Sequence, residues 1–208
     1  MHTKRSVFMS DSREHILDTA LVLFMQKSFK EVTMREIVEQ TGLSKGAFYH
    51  YFSSKEQVFE EVIRFFFSEL MVGDYGKFSH DSLYAFYNDI LAEIDNKIKR
   101  SKIKDKDGEK LFNANHYFLI FDAMKMLPGF KKELEEQQRI EMEAWVNIMG
   151  IARDKGEINS TMTNEQLAKM FVYLNDGVGI NLIMKDGLLT VGKELKPLMD
   201  GLYNLIKA

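Results

Sequence analysis

Segment 45–51 carries polar side chains that could contact nucleic acid. If the segment is a helix, with about 100° between successive residues, it has a polar face and an apolar face. The polar face consists of Lys45, Gly46, Tyr49 and His50. The apolar face consists of Ala47, Phe48 and Tyr51, which we expect to pack against neighbouring helices. Because an ammonium, a closely approachable glycine backbone, a phenol and an imidazole suit phosphate oxygens and base edges, we predict that the polar face contacts DNA.

Three residues at predicted helix starts could add contacts to phosphate groups. The free backbone amides of a helix N-terminus attract phosphate oxygens, and Thr33 and Ser44 each precede such a start. Lys55 lies at the start of the next helix, where its ammonium could bind the flanking phosphate backbone. A plainer interpretation stays open, because short surface helices of this kind also occur in proteins that do not bind DNA.

The elements that position these groups are indicated by helix-capping signals. Thr33 stands three residues before a glutamate, which is the spacing of a capping box at a helix start. Gly42 suits the left-handed turn that ends a helix, and Ser44 can cap the helix that follows. The signals predict a short helix over about 34–40, a turn, and a second helix over about 45–51.

Two longer helices flank this helix-turn-helix, which spans residues 33–51. Apolar residues recur on one face between Asp11 and Lys27, which predicts the first helix of the chain. The spacing of Ser53 and Glu56 is that of a second capping box. It predicts a fourth helix over 54–70, which connects the motif to the rest of the chain.

The segment from Thr33 to Glu56 reads TMREIVEQTGLSKGAFYHYFSSKE. It resembles the DNA-binding signature of the TetR (tetracycline repressor) family of bacterial regulators, and the resemblance covers about residues 11–70. In that family the matching positions commonly contact the operator, mainly through phosphates. On this resemblance the DNA-binding residues are Thr33, Arg35, Ser44, Lys45, Gly46, Tyr49, His50 and Lys55. Arg35 is the weakest member, because its position varies in the family and its side chain could form a surface salt bridge instead.

Composition and charge limit the class of protein. The 208 residues are 45% hydrophobic with two prolines, which favours a helical, well-packed chain. The net charge is −3, and residues 1–55 hold eight basic and six acidic residues, so that segment is +2 and the remainder −5. The chain has no cysteine, which excludes disulfides and thiolate zinc sites. Since it also shows no signal-peptide core and no run of ~18 apolar residues, we expect a cytoplasmic protein with no membrane partner.

Five further helices are predicted beyond residue 71, separated by glycine, proline or charged turns. They span 82–102, 109–127, 130–155, 163–186 and 190–207. The predicted fold class is therefore all-α, with an N-terminal three-helix helix-turn-helix DNA-binding domain over residues 1–55. The helix 54–70 connects it to a larger C-terminal helical domain over residues 71–208, for which the resemblance implies ligand binding and dimerisation.

The C-terminal domain is predicted to pair with a second copy, because one helix-turn-helix contacts few bases and such proteins read two half-sites about 34 Å apart. The last helix carries an apolar stripe at i, i+3, i+4, i+7 spacing. Its members are Leu195, Leu198, Met199, Leu202, Leu205 and Ile206. The resemblance implies that the last two helices form a four-helix bundle with the partner chain. The same stripe could instead face only the core of its own chain.

Segment 82–186 is rich in aromatic residues and methionine, which suit the walls of an apolar ligand cavity. The candidate ligand-binding residues are Tyr87, Phe112, His116, Tyr117, Phe121, Trp145, Met149, Met170 and Tyr173. Each of them could equally be an ordinary core residue.

These observations predict a ligand-responsive transcriptional regulator, a repressor by family resemblance. It would bind a palindromic operator in double-stranded DNA as a homodimer and be released by a small, largely apolar effector of unknown identity. Two alternatives stay open: a protein-interaction module that uses the helix-turn-helix, and a helical enzyme. No catalytic residue is predicted, because no G-x-S-x-G nucleophile elbow or paired catalytic carboxylate occurs. No metal or cofactor is predicted, since the five histidines lack metal-site spacing.

Overall fold

The computed structural model describes residues 3–67, 73–100, 115–185 and 190–208. The regular elements within these ranges are helices, which confirms the predicted all-α class. The α-helices are α1 (Thr3–Gln26), α2 (Met34–Thr41), α3 (Lys45–Tyr49), α4 (Lys55–Phe66), α5 (Leu83–Arg100), α6 (Asn115–Met126), α7 (Phe130–Asp154), α8 (Asn164–Ile183) and α9 (Val191–Ile206). A 3₁₀ turn, Tyr75–Lys77, precedes α5. No helix in these ranges is long and apolar enough to cross a membrane.

The predicted helix bounds agree with the observed ones to within a few residues, apart from α1 and α6. Helix α1 begins at Thr3 rather than near Asp11, because no glycine or proline stands before Asp11 to end it. The prediction for α6 began at residue 109, which lies outside the described residues; the described helix runs from Asn115.

The helices divide into two compact units. The first unit contains α1, α2, α3, α4 and α6, from residues 3–67 and 115–128. The second unit contains the 3₁₀ turn, α5, α7, α8 and α9. The first unit is therefore built from two separate stretches of chain.

The core of the first unit forms where the apolar faces of its helices meet. The predicted face of α1 is buried through Ile16, Leu17, Ala20, Leu21 and Phe24. Against it α4 and α6 pack their own apolar residues. Phe59 of α4 meets Phe24 edge to face at 5.2 Å between ring centroids, and meets Phe29 at 4.7 Å. Such aromatic pairs add to the stabilisation from burial and fix the relative position of α1 and α4.

The core of the second unit is centred on Trp145 of α7, which is 1% exposed. Its indole stacks on Phe171 of α8 at 5.1 Å and meets Phe86 of α5 edge to face at the same distance. Helix α9 completes the cluster with Leu195 and Met199, both fully buried. Four helices thus share one apolar interior.

Candidate nucleic-acid interface

Helix α2 begins and ends as its sequence predicts. The Thr33 hydroxyl accepts a hydrogen bond from the Glu36 backbone N–H at 3.1 Å, which caps the helix. At the other end Gly42 adopts the left-handed conformation, with φ 65°, and its N–H donates to the Glu39 carbonyl. A residue with a side chain would be strained at this φ. The turn that follows α2 is therefore fixed by Gly42.

Helix α3 directs its polar groups outward. The Ser44 hydroxyl caps it by accepting from the Ala47 N–H at 3.2 Å. Lys45, Gly46 and His50 are exposed, and Tyr49 is 50% exposed. Phe48 is fully buried, so one side chain of this five-residue helix anchors it in the core.

The prediction that Ala47 packs against the neighbouring helices is wrong, because Ala47 is exposed. Phe48 is the buried residue of α3, and Ala47 lies about 100° away from it around the helix, outside the narrow buried side. Phe52, which was missed, is fully buried, and Tyr51 is half-buried. The i, i+4 spacing of Phe48 and Phe52 is the signal that could have identified this packing pair.

The start of α4 differs by one residue from its prediction. Ser54, not Ser53, is the N-cap: its hydroxyl accepts from the Gln57 N–H at 3.2 Å. Ser53 instead donates its backbone N–H to the Gln57 side-chain oxygen at 2.9 Å. Two adjacent serines offer the same capping group, and the extended backbone of Ser54 decides between them.

The two remaining predicted DNA-binding residues have partners within the chain. Arg35 is exposed on α2 and forms an i, i+4 ion pair with Glu39, with 2.7 Å between Nε and Oε1. Lys55 is partly buried, and its ammonium donates to the backbone carbonyls of Phe29 and Val32, both at 2.7 Å. The other six residues, Thr33, Ser44, Lys45, Gly46, Tyr49 and His50, are exposed.

This arrangement presents two capped helix starts, a lysine, a phenol and an imidazole on an anchored short helix after a fixed turn. Groups of these types bind phosphates and base edges. Among the described residues, no group of three or more His, Cys, Asp or Glu side chains could hold a metal ion. Fold and site together define a helix-turn-helix protein.

Comparison with known proteins finds similarity to bacterial regulators. Residues 16–62 match the model of the bacterial regulatory proteins of the tetR family. The matched segment extends from α1 into α4 and includes the helix-turn-helix. The HTH-type transcriptional regulator YfiR of Bacillus subtilis strain 168 is 25% identical over 85% of this chain and 82% of its own. The negative regulator of the biofilm operon icaADBC, IcaR of Staphylococcus aureus strain Newman, is 24% identical over 62% of this chain and 73% of its own.

Solved structures share the fold over nearly the whole chain. NalD, the secondary repressor of the MexAB-OprM multidrug efflux pump in Pseudomonas aeruginosa, has a TM-score of 0.65 at 14% identity and covers 95% of this chain and 96% of its own. SmeT, in a complex with triclosan, has a TM-score of 0.61 at 16% identity and covers 95% of this chain and 92% of its own. At these identities the likeness shows the fold.

The candidate ligand-binding residues are distributed over both units. Within the second unit, Tyr87, Trp145 and Met149 belong to one buried cluster, while Met170 is 39% and Tyr173 61% exposed on α8. Within the first unit, Tyr117 and Phe121 lie one turn apart on α6, with ring centroids 6.5 Å apart. Phe112 and the side chain of His116 lie outside the described residues.

Two surface grooves are lined by other residues. A groove of about 290 Å³ in the first unit includes Phe29, Phe118 and Asp122. A more open groove of about 530 Å³ in the second unit includes Tyr84 and Tyr203. Neither lining contains any of the candidate ligand-binding residues within the described part of the chain.

A polar cluster in the second unit joins the 3₁₀ turn to α7. Burial raises the pKa of Glu141; the hydrogen bond with Tyr75 lowers it in part, and the neighbouring Asp176 raises it further. Burial also raises the pKa of the Tyr75 phenol and of the Asp176 carboxyl. These groups are therefore held towards their protonated forms.

The stripe predicted for dimerisation divides between two sides of α9. Leu195, Met199 and Ile206 are buried in the chain's own core, and Leu202 is half-buried. Leu198 and Leu205 are 47% and 82% exposed.

Helix α8 also carries large exposed apolar side chains. Ile180 and Met184, at 45% and 75% exposure, were missed as surface residues. Their spacing of seven and eleven residues from Tyr173 places all three near one side of the helix. That spacing is the signal that could have identified them.

Proposed function

We propose that this protein is a ligand-responsive repressor that binds a palindromic operator as a homodimer. The observation that carries the proposal is α3, held by the buried Phe48 with Lys45, Gly46, Tyr49 and His50 directed outward. IcaR is a negative regulator and NalD is a repressor, which supports repression. Because the proposed partner is chromosomal DNA, we expect the protein to act in the cytoplasm.

The proposed DNA contacts are tested by substitutions on the outward side of α3. We expect Lys45→Ala and Tyr49→Ala to weaken binding to the operator, which a selection from random sequences or a footprint upstream of the gene would identify. Lys125→Ala, an exposed lysine on α6 of the same unit, is the matched control and should bind like the parent. If the parent shows no sequence-selective, salt-sensitive binding, the proposal is wrong.

The proposed homodimer uses the exposed apolar sides of α8 and α9, two helices that pack against each other. Apolar side chains as exposed as Met184 and Leu205 are typical of a surface that a partner covers. We expect the double variant Met184→Glu, Leu205→Glu to sediment as a monomer. Asn204→Glu, exposed next to Leu205 along the chain, is the control and should remain a dimer. A double variant that stays dimeric would place the interface elsewhere.

The proposed effector is a small, largely apolar molecule. The aromatic and methionine side chains of the second unit support this chemistry, and the neighbour SmeT forms a complex with triclosan. In this proposal the effector moves α4 and changes the separation of the two DNA-binding units. A coupling of ~1–3 kcal/mol would change operator affinity ~5–150-fold.

The effector is sought by thermal-shift measurements on a panel of apolar compounds that includes triclosan. Each compound that raises the melting temperature is then added to the operator complex. We expect at least one to release the DNA. If every compound that binds leaves operator affinity unchanged, the proposed ligand response is wrong.

A further inference from the structure

We propose that His15 of α1 is a positioning residue, which holds the turn of the helix-turn-helix and so sets the path of the chain into α3. This inference rests on the proposed DNA-binding function and adds to it a residue from outside segment 33–55. The imidazole Nε2 lies 3.1 Å from the backbone carbonyl oxygen of Thr41, the last residue of α2. Because a carbonyl oxygen can only accept, Nε2 donates its N–H in this contact.

The Thr41 carbonyl needs a partner from outside its own helix. The last four carbonyls of an α-helix have no partner within the helix, and Thr41 is buried, at 6% exposure. Other groups at this helix end are satisfied locally. The Thr41 hydroxyl donates to the Val38 carbonyl at 2.8 Å, and the Gly42 N–H donates to the Glu39 carbonyl at 3.3 Å. The bond from His15 instead comes from another helix, 26 residues away in sequence.

The backbone of His15 is held in place, although the residue itself is exposed. The next residue along α1, Ile16, is fully buried in the core of the first unit. One turn further on, the Thr19 hydroxyl donates to the His15 carbonyl at 2.8 Å. The imidazole therefore extends from a fixed point on α1, and its hydrogen bond ties the end of α2 to that point.

The chain that leaves Thr41 leads directly into the proposed DNA contacts. Ser44, the N-cap of α3, lies three residues after Thr41, and the exposed Lys45 and Gly46 follow it. Since α3 has five residues and buries only Phe48, its direction depends strongly on the turn that precedes it. A turn held by His15 places these contacts before DNA arrives, which lowers the entropic cost of binding.

The experiment compares His15→Ala with Ile16→Val, a small core change at the next residue that lowers stability without touching the turn. We expect His15→Ala to lose roughly threefold to tenfold in operator affinity, which is the usual contribution of one neutral hydrogen bond. Ile16→Val should keep the parental affinity, although its melting temperature falls. In the absence of DNA, the backbone amides of 42–48 should exchange hydrogen faster in His15→Ala than in Ile16→Val.

Two further variants test whether the donor must reach the Thr41 carbonyl. Glutamine carries a side-chain N–H about as far from the backbone as the imidazole Nε2, whereas the amide of asparagine is one carbon closer to the backbone. We expect His15→Gln to recover most of the affinity and exchange protection lost in His15→Ala, and His15→Asn to recover little.

Parental affinity in His15→Ala, or equal losses in His15→Ala and His15→Gln, would overturn the inference. Weaker operator binding with parental exchange at 42–48 would indicate that the imidazole itself contacts DNA, and it would overturn the inference too. An equal loss of affinity in Ile16→Val would do the same, because it would reveal a general effect of stability. If the parent binds no operator, the proposed function fails, while the exchange measurements still decide whether His15 holds the turn.

Discussion

The two units differ in how directly their functional side chains follow from local sequence. In the first unit, the proposed DNA contacts lie within one continuous segment, 33–55, and caps and a left-handed glycine fix their positions. In the second unit, residues of the same apolar character end in opposite environments: Trp145 is buried and Tyr173 is exposed. A surface built by one short motif is set by neighbours in sequence, whereas the interior of a helical bundle is set by residues far apart in the chain.

The largest expected effect belongs to the interior of the second unit. Trp145→Ala removes the side chain that joins three helices, and we expect a loss of about 4–5 kcal/mol in the free energy of unfolding. Tyr173→Ala, on the exposed side of α8, should cost less than about 1 kcal/mol at low protein concentration, where the proposed dimer dissociates. Urea denaturation at several concentrations measures both.

Dilution sharpens this contrast. Because stability gained from a partner chain is lost on dilution, any part of the Tyr173→Ala effect that comes from the proposed dimer should shrink on dilution, and the effect of Trp145→Ala should not. Equal losses for the two variants at all concentrations would remove the distinction between buried and exposed aromatic residues in this unit.

The first unit should show the same contrast within one turn of helix. We expect Phe48→Ala to cost about 3 kcal/mol, because a fully buried ring leaves a cavity. Tyr49→Ala should change stability by less than about 0.5 kcal/mol while weakening operator binding. Thermal unfolding and a gel-shift titration give the two readouts. A Tyr49→Ala protein that binds operator like the parent would show that α3 is oriented differently.

Helices α5 and α9 approach each other closely at Gly192, so a substitution there tests the packing of the second unit. A Cβ at Gly192 would lie 2.9 Å from the carboxyl carbon of Asp95. Because the atoms in the way are the end of a half-exposed side chain that can shift, we expect Gly192→Ala to cost less than about 1 kcal/mol in stability, measured by thermal unfolding. In an Asp95→Ala background, where the carboxylate is absent, the same change should cost less. Equal costs in both backgrounds would exclude Asp95 as the cause.

The smallest expected effect concerns the pH dependence of the second unit. Because the pKa of Glu141 is raised above its ordinary value of 4.5, the folded state binds this proton more tightly than the unfolded state. Its contribution to stability is therefore full below pH 4.5 and is lost as the pH rises through the raised pKa.

Glu141→Gln stays neutral, so its stability relative to the parent should increase between about pH 5 and 8. Melting temperatures across that range measure the trend. Glu143→Gln, which removes an exposed carboxylate from the same helix, is the control for the substitution itself. A Glu141→Gln difference that does not change with pH would contradict the raised pKa.

Sequence could predict the role of those residues that act on neighbours close by in the chain. Thr33, Gly42 and Ser44 act through hydrogen bonds or dihedral angles within a few residues, and the structure confirms each. The errors arise where local rules leave a choice. Ser53 and Ser54 offer equivalent caps, and the spacing of apolar residues did not show that the buried side of α3 is too narrow to include Ala47.

The partners of Lys55 could not be predicted at all. Its carbonyl partners are 23 and 26 residues away in sequence. The spacing of apolar residues along a helix does not predict contacts over such a distance. The same holds for α6, whose apolar pattern indicates a helix but not the core it joins. Long-range contacts of this kind are decided by tertiary packing and not by local preference.

The first unit is built from two separate stretches of chain, and this affects how it folds during synthesis. Leu119, Ile120 and Ala123 of α6 are buried, and α6 packs against α1 and α4. The ribosome must therefore release residues 73–100, which belong to the other unit, before α6 emerges to cover that surface. Contacts between distant residues slow folding, and uncovered apolar surface favours aggregation. The unit with the proposed DNA contacts, although its synthesis begins first, is completed only after the first helix of the other unit has been made.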